Sequence, residues 1–342
     1  MIKAELLYQE YLKNQGINNE PGECHAATVT ICNGKPAAAW FFGTKEKNPN
    51  VRIWFSIRDV EWSTPIAVTP DDGVADWNPT LFCENGVLTL IYKSGIDESH
   101  WRSMKVVSDD EGKTWTEPVE LVPGDVGGRG PVKNQMIRLS NGALLAPGST
   151  EDLADRWESW TDYSEDNGAT WKLSAPVAFE LPDGTVCNRK EELPDEGEGL
   201  IQPAIWEDPA HDGRVYMLAR TNLHWIYRSE STDFGRSWSV ARPTDMPNNN
   251  SGIGATLMDC GILGLVCNPV GENWGKRTPL CLFLSDDNGA TYPIKIVLEE
   301  TEHADGVEFS YPSIFAEGDM LHIVYTVSKK KIGYALVKVE NK

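Results

Sequence analysis

Four copies of one eight-residue motif constrain this chain more than any other feature. SDDEGKTW, SEDNGATW, STDFGRSW and SDDNGATY begin at Ser108, Ser164, Ser231 and Ser285. Each has an acidic residue two positions after the Ser (Asp110, Asp166, Asp233, Asp287), a Gly two further on, and an aromatic residue three after that. The pattern suits a self-contained hairpin turn. The carboxylate accepts N–H groups inside the turn, the Gly supplies a positive φ, and the aromatic ring folds back as an anchor. One such turn is common; four at offsets of 56, 67 and 54 residues predict a repeat architecture.

A fainter repeat sets the number of units. Six segments start with a polar or aromatic residue, run into an apolar strand, turn, and return as a second apolar strand. They begin at His25, Asn78, Asn134, Gln202, Ser251 and Tyr311, at offsets of 53, 56, 68, 49 and 60 residues. Their turns hold Asn-Gly, Asp-Gly, Cys-Gly or Gly-Asp, the chemistry of tight hairpins. Six hairpins, each followed by a third strand and an outer turn, predict an all-β, six-bladed β-propeller over residues 23–342, a single domain. SIRDVEW (Ser56–Trp62) reads as a degraded copy of the repeated turn in the first blade, and the last blade lacks one. Residues 1–22 form a segment packed on the propeller. Within it Ala4–Lys13, with Leu6, Leu7, Tyr11 and Leu12 at helical spacing, is the one expected helix, serving packing or closure.

Composition narrows the partners. The formal charge of −20 argues against nucleic acid, whose phosphates require clustered Lys and Arg. It says nothing against a small anion, which responds to the local charge of a cleft. No run reaches membrane-spanning length, and Met1–Gly16 lacks the apolar stretch of a secretion signal. The seven cysteines are scattered, and Cys32, Cys83, Cys267 and Cys281 lie in strand-like runs, so reduced thiols and a cytoplasmic location are expected. Cys24 beside His25 lacks the partners of a metal site, so neither metal nor cofactor is expected.

In a propeller the innermost strands line one axis, so the six strand heads His25, Asn78, Asn134, Gln202, Ser251 and Tyr311 converge on one mouth, the default place for a ligand. The second strands return to that rim with Trp40, Lys93, Ser149, Arg220 and Asn268. Third strands leave it with Arg52, Arg102, Arg156 and Arg277. Arg220 and Arg277, together with Arg129 and Lys133 from the Gly-rich segment Gly127–Asn134, place cations where an acidic sugar would sit, because a guanidinium grips a carboxylate through two parallel bonds. That segment lacks the spacing of a nucleotide-phosphate loop. Asn248–Ser251 is either a turn or a set of donors for sugar hydroxyls. Trp40, Trp77 and Trp157 are either core anchors or platforms for a pyranose.

The repeated turn is the Asp-box motif, and the chain resembles the sialidase-like superfamily of β-propellers. Its C-H-A, R-G-P-V-K-N, I-Q-P and N-N-N-S-G stretches resemble a bacterial sialidase-like branch with BNR repeats. The resemblance implies arginines on the substrate carboxylate, matched by Arg220 and Arg277, and a nucleophilic Tyr, matched by Tyr311. Gln202 stands where the family has a Glu, and His25 stands where it has the first Arg. Asp76 and Glu151 are candidates for the general acid, and Glu198 for the missing Glu. The expected function is hydrolysis of a terminal acidic sugar from an oligosaccharide. Read from the residues alone, His25, Tyr311 and an arginine pair also suit a lyase: the arginines neutralise a uronate, while His and Tyr move the protons of a β-elimination. A glycan-binding propeller without catalysis is the third alternative.

Overall fold

The computed structural model describes residues 2–12, 22–151, 156–188, 199–302 and 306–341. No helix occurs among the described residues. Six antiparallel four-stranded sheets succeed one another around an axis as propeller blades. Blade 1 comprises β2 (Glu23–Cys32), β3 (Lys35–Gly43), β4 (Arg52–Ile57) and β5 (Ile66–Ala67). Blade 2 comprises β6 (Asp76–Glu84), β7 (Val87–Ser94), β8 (Arg102–Ser108) and β9 (Val119–Glu120). Blade 3 has β10 (Ile137–Arg138), β11 (Leu144–Glu151), β12 (Trp157–Ser164) and β13 (Lys172–Leu173). A small hairpin, β14 (Phe179–Glu180) and β15 (Val186–Cys187), precedes blade 4, which is β16 (Leu200–Glu207), β17 (Val215–Thr221), β18 (Trp225–Ser231) and β19 (Arg242–Pro247). Blade 5 holds β20 (Gly254–Leu257), β21 (Leu263–Cys267), β22 (Leu280–Ser285) and β23 (Ile294–Glu299).

Blade 6 closes the ring. Its strands β24 (Phe309–Glu317), β25 (Met320–Val327) and β26 (Lys331–Asn341) are joined by β1 (Ile2–Tyr11), paired antiparallel from Ile2 with Asn341 to Tyr11 with Gly333. The helix expected over Ala4–Lys13 is therefore a strand as far as Tyr11. Exposed side chains alternate with more buried ones along it, the two-residue period of a strand. An unpaired edge of β26 outweighs a weak helical pattern, because β1 satisfies a whole row of backbone groups. Gln9 adds a tie to the neighbouring blade, its Nε2 donating to Leu298 O at 2.8 Å and to Tyr325 Oη at 3.1 Å.

The core lies between blades, with one apolar cluster at each blade-to-blade interface. The repeated turns lock these interfaces from the outside. In the first, Ser108 Oγ donates to Asp110 Oδ1 at 2.8 Å and accepts from Gly112 N at 2.9 Å, while Thr114 N and Oγ1 donate to the same carboxylate. Gly112 has φ of +81°, and a Cβ there would lie 2.1 Å from Phe55 Cε1 of blade 1, so the turn is pressed on the preceding blade. The other three copies repeat these bonds. Donors from Thr114 and Thr170 hold the carboxyls of Asp110 and Asp166 down to about 2.

The buried Ser of each copy is the strictest requirement. Replacing Ser231 by Ala strips the acceptor from Gly235 N and Asp233 N, at 2.9 and 3.2 Å. S231A is expected to cost about 1–3 kcal/mol, the penalty of an unmet buried donor. A urea unfolding curve with an unshifted midpoint would contradict this role.

Candidate functional site

Each inner strand has, within its first four residues or just before them, a residue in the left-handed region of backbone space: Ala26 (φ 52°), Asn78 (39°), Lys133 (74°), Gln202 (52°), Asn250 (61°) and Tyr311 (51°). In blades 1, 2, 4 and 6 the pairing register shifts at this point, between His25 and Thr28, Trp77 and Thr80, Ile201 and Ala204, and Ser310 and Ser313. These are β-bulges, which turn a side chain out of the pleat and toward the axis. The strand heads therefore do converge, but in blades 1, 3 and 5 the residue at positive φ is Ala26, Lys133 and Asn250, one position from the expected His25, Asn134 and Ser251. A strand head read by polarity alone misses the register that a bulge sets.

Arg220, at the end of β17, is the centre of the resulting pit. Its Nε donates to Asn250 Oδ1 at 2.9 Å; Nη1 donates to Gln202 Oε1 at 3.0 Å and to Tyr311 Oη at 2.9 Å. The guanidinium carbon lies 5.6 Å from the ring of Trp157, 6.0 Å from that of Trp274 and 5.8 Å from that of Tyr311. Arg220 is only 4% exposed, and among the described residues no carboxylate lies within ion-pair distance of it. Gln202 Nε2 donates to Tyr311 Oη at 3.4 Å. The phenol oxygen thus accepts from two donors, and its own O–H remains to be donated. Arg277 stands 5.7 Å from the same ring and bridges Glu308 at 3.2 Å, so it is already partly neutralised.

His25 completes the cluster. Its ring lies 4.2 Å from that of Tyr311, and Nδ1 shares a 2.9 Å hydrogen bond with Thr326 Oγ1. Burial, and then the positive charges of Lys329, Arg277, Arg220 and Lys133, hold this imidazole far below its ordinary pKa, so it is neutral at pH 7. A chain of net charge −20 thus carries a compact positive pit at one end of its axis.

The Gly-rich segment serves another purpose than the one expected. Arg129 does not reach a ligand: its Nε and Nη2 clasp the fully buried Asp162 at 2.8 and 2.5 Å, because a buried carboxylate requires a counter-charge. Lys93, also buried, donates to Gly128 O and Arg129 O at 2.6 and 3.0 Å and pins the loop. Lys133 is 2% exposed and spends its donors on Ile253 O, Pro312 O and Asn134 Oδ1. Asn134 Nδ2 donates to Gln202 O at 2.9 Å and Pro203 O at 3.1 Å, and Gln135 Nε2 donates to Val29 O. Three successive side chains of blade 3 thereby cross the axis to blades 1, 4, 5 and 6. They form the floor of the pit and the roof of an axial cavity of about 230 Å³, lined by Phe82, Ile205, Thr256 and Phe315 among others.

Other candidates are placed elsewhere. Trp40 is fully buried between blades 1 and 6, beside Val324 and Tyr334, and is a core anchor because its side of β3 faces the neighbouring blade. Ser251 is fully buried behind Asn250 and its Oγ has no hydrogen-bond partner. Asn78 occupies the bulge of blade 2. Asp76 bonds Thr69 and Ser94, and Glu151 ends β11 with its backbone oxygen accepting from Ser99 Oγ at 3.1 Å; neither bonds Tyr311 or Arg220. Glu198 lies outside the described residues. Two members of the pit were missed, Trp274 and Glu308, while Asn250 lies within the Asn248–Ser251 run read as a turn or a set of donors. The asparagine run around Asn250 was a usable signal, since Asn adopts positive φ more readily than most residues.

Comparisons with known proteins agree with this architecture. The family model described as BNR repeat-like domain matches residues 34–323. A curated sialidase from Paraclostridium sordellii is 27% identical over 215 residues, which cover 55% of this chain and 47% of that protein, so the match spans about half the relative's length. Among solved structures, a Dyadobacter fermentans protein of unknown function superposes with a TM-score of 0.73 at 16% identity, covering 98% of this chain and 99% of that one. A Hadza microbial sialidase gives 0.71 at 16% identity, with 92% and 66% covered. Trypanosoma rangeli sialidase in complex with sialic acid gives 0.67 at 17% identity, with 92% and 54% covered.

The buried Asp76 yields a signed pH dependence. Burial pushes its carboxyl from 3.8 up to about 7, against the opposing bonds from Thr69 and Ser94. A folded-state pKa above the unfolded one contributes stability that is complete below the unfolded value and lost as pH rises through the folded value. Asp76→Asn, which cannot ionise, should therefore flatten the fall in Tm between about pH 4 and pH 8, and gain most over the wild type at the alkaline end. Parallel Tm–pH curves for the two proteins would refute the shift.

Proposed function

The chain belongs to the BNR repeat-like domain family, and from that membership and the pit geometry we propose that it is a glycoside hydrolase that removes a terminal acidic sugar from an oligosaccharide. Arg220, buried and with no carboxylate in ion-pair distance among the described residues, carries this reading. An uncompensated buried charge costs several kcal/mol, and a sugar carboxylate is a partner for the two Nη2 hydrogens left over once Nε and Nη1 bond Asn250, Gln202 and Tyr311. Arg277, 5.7 Å from the Tyr311 ring, assists. The names of the Paraclostridium sordellii and Trypanosoma rangeli relatives, sialidases both, support a sugar acid as the ligand class.

Tyr311 is the nucleophile in this reading. Its oxygen attacks the anomeric carbon, and its proton passes to the neutral imidazole of His25, since Gln202 has no basic atom to receive it. The imidazolium so formed is the acid that protonates the leaving oxygen, while Glu308 stays paired with Arg277 at 3.2 Å; water then displaces the Tyr311 oxygen from the anomeric carbon, its proton going to the phenolate. One observation favours a second reading. A neutral His25 beside a phenol whose O–H is free to donate is also the base and acid pair of a β-eliminating lyase on a uronic acid.

Incubation with sialosides and uronate oligosaccharides, following released sugar and the ultraviolet absorbance of an unsaturated uronate together, separates the two. Release without absorbance is expected, with Y311F slower by at least about 100-fold and Arg220→Ala raised mainly in KM. New absorbance would establish elimination instead. Equal cleavage of neutral glycosides, or an Arg220→Ala enzyme with unchanged KM, would overturn the assignment of the carboxylate.

A further inference from the structure

The three residues that receive hydrogen bonds from Arg220 are Asn250, Gln202 and Tyr311, each at a positive φ. Non-glycine residues hold that conformation only where their surroundings fix it. We propose that Lys133 is the positioning residue that fixes all three, and so sets the phenol of Tyr311 against Arg220.

From one nitrogen, Lys133 reaches the main chain beside each of them. Nζ donates to Pro312 O, directly after Tyr311, and to Ile253 O, three residues after Asn250. It donates at 3.2 Å to Asn134 Oδ1, whose amide nitrogen holds Gln202 O and Pro203 O at 2.9 and 3.1 Å. Pro203 and Pro312 follow bulge residues, and within the bulges neither pairs in the strand register, which resumes at Ala204 and Ser313. The lysine supplies donors where the sheet does not. Its side chain also passes under the site: a Cβ on Gly252 would lie 3.2 Å from Lys133 Cε and 3.5 Å from both Gln202 Oε1 and Tyr311 Cδ2. Three acceptors around Nζ call for three N–H donors, which the ammonium has and the amine lacks. Lys133 therefore stays charged, although burial and Arg220 lower its pKa.

The kinetic consequence rests on the reading of Tyr311 given under Proposed function; the structural one does not. The test uses the full chain with 3-fluorotyrosine incorporated, the Tyr311 ¹⁹F resonance being assigned through Y311F. In Lys133→Met that resonance should move or broaden while the other tyrosines keep their shifts, with cooperative unfolding retained. Turnover of an acidic glycoside should fall through kcat by about 100-fold, the effect of a displacement near 1 Å, with KM changed by less than about threefold. Lys133→Arg, which keeps charge and donors, should restore part of both. If Lys133→Met does not fold, Asn134→Ala removes only the leg to Gln202 and must still shift the Tyr311 resonance. A folded Lys133→Met protein, or failing that Asn134→Ala, with an unmoved Tyr311 signal overturns the proposal. If the wild type cleaves no acidic glycoside, the hydrolase reading fails and the ¹⁹F comparison still decides this one.

Discussion

Backbone groups taken out of the sheet ladders by the bulges must be satisfied somewhere, and in this propeller they are satisfied across the axis. A buried carbonyl or amide left without a partner costs about 1–3 kcal/mol. Six strand heads facing one axis, four of them bulged, concentrate such groups where neighbouring strands cannot reach them. Lys133, Asn134 and Gln135 meet the need by bonding carbonyls of blades 5 and 6, blade 4 and blade 1 in turn. Blade 3 gives up its own pairing to do so: its inner strand β10 has two residues, whereas β6 and β24 have nine each. The same three side chains hold apart the pit above and the cavity below, so closure of the ring, the floor of the site and the aim of its bulges share one set of bonds.

Charge follows a similar economy of place. At physiological ionic strength the field of an exposed charge fades over about 8 Å, so the acidic exterior does little to an anion already in the mouth. Inside, Arg220 and Lys133 lie close enough to lower the lysine's pKa and, among the described residues, neither pairs with a carboxylate, while Arg277 and Lys329 at the edge are balanced by Glu308 and Glu46. Burial first, and then the charges of Lys329, Arg277, Arg220 and Lys133, keep His25 neutral, and the centre offers a preorganised seat for negative charge, which is how a site gains electrostatic strength without reorganising when its ligand arrives.

Much of the fold was legible because its signals are local. The Ser-Asp-Gly turns and the Asn-Gly type hairpins encode their geometry within a few residues, and together they specify blade number and strand order. Tyr311, Arg220 and Gln202 were legible too, being bulge or strand-end residues at the expected rim. What was not legible depends on distant partners. Lys133 and Arg129 read as ligand contacts because a sequence shows charge but not that Asp162 or the carbonyls of Ile253 and Pro312 lie opposite. Ser251 was preferred to Asn250 because a one-residue shift leaves no mark on hydrophobic periodicity. The strand nature of Ile2–Tyr11 depends on an edge more than 300 residues away, Ile2 pairing with Asn341.

That last pairing has a consequence for how the molecule comes into being. Synthesis runs from β1 toward β26, so the strand that completes the ring is made first and has no partner until nearly everything else has emerged. Blades 1 to 5 can each assemble from neighbouring sequence, whereas blade 6 requires the two ends to meet, a contact of the largest sequence separation the chain contains and hence slow to form. A lone hydrophobic strand waiting that long would invite association with other chains. β1 carries Lys3, Glu5 and Glu10 among its ten residues, with exposed positions alternating along its length. These charges oppose such association while the strand is unpaired, and its register with β26 commits it to a single eventual edge.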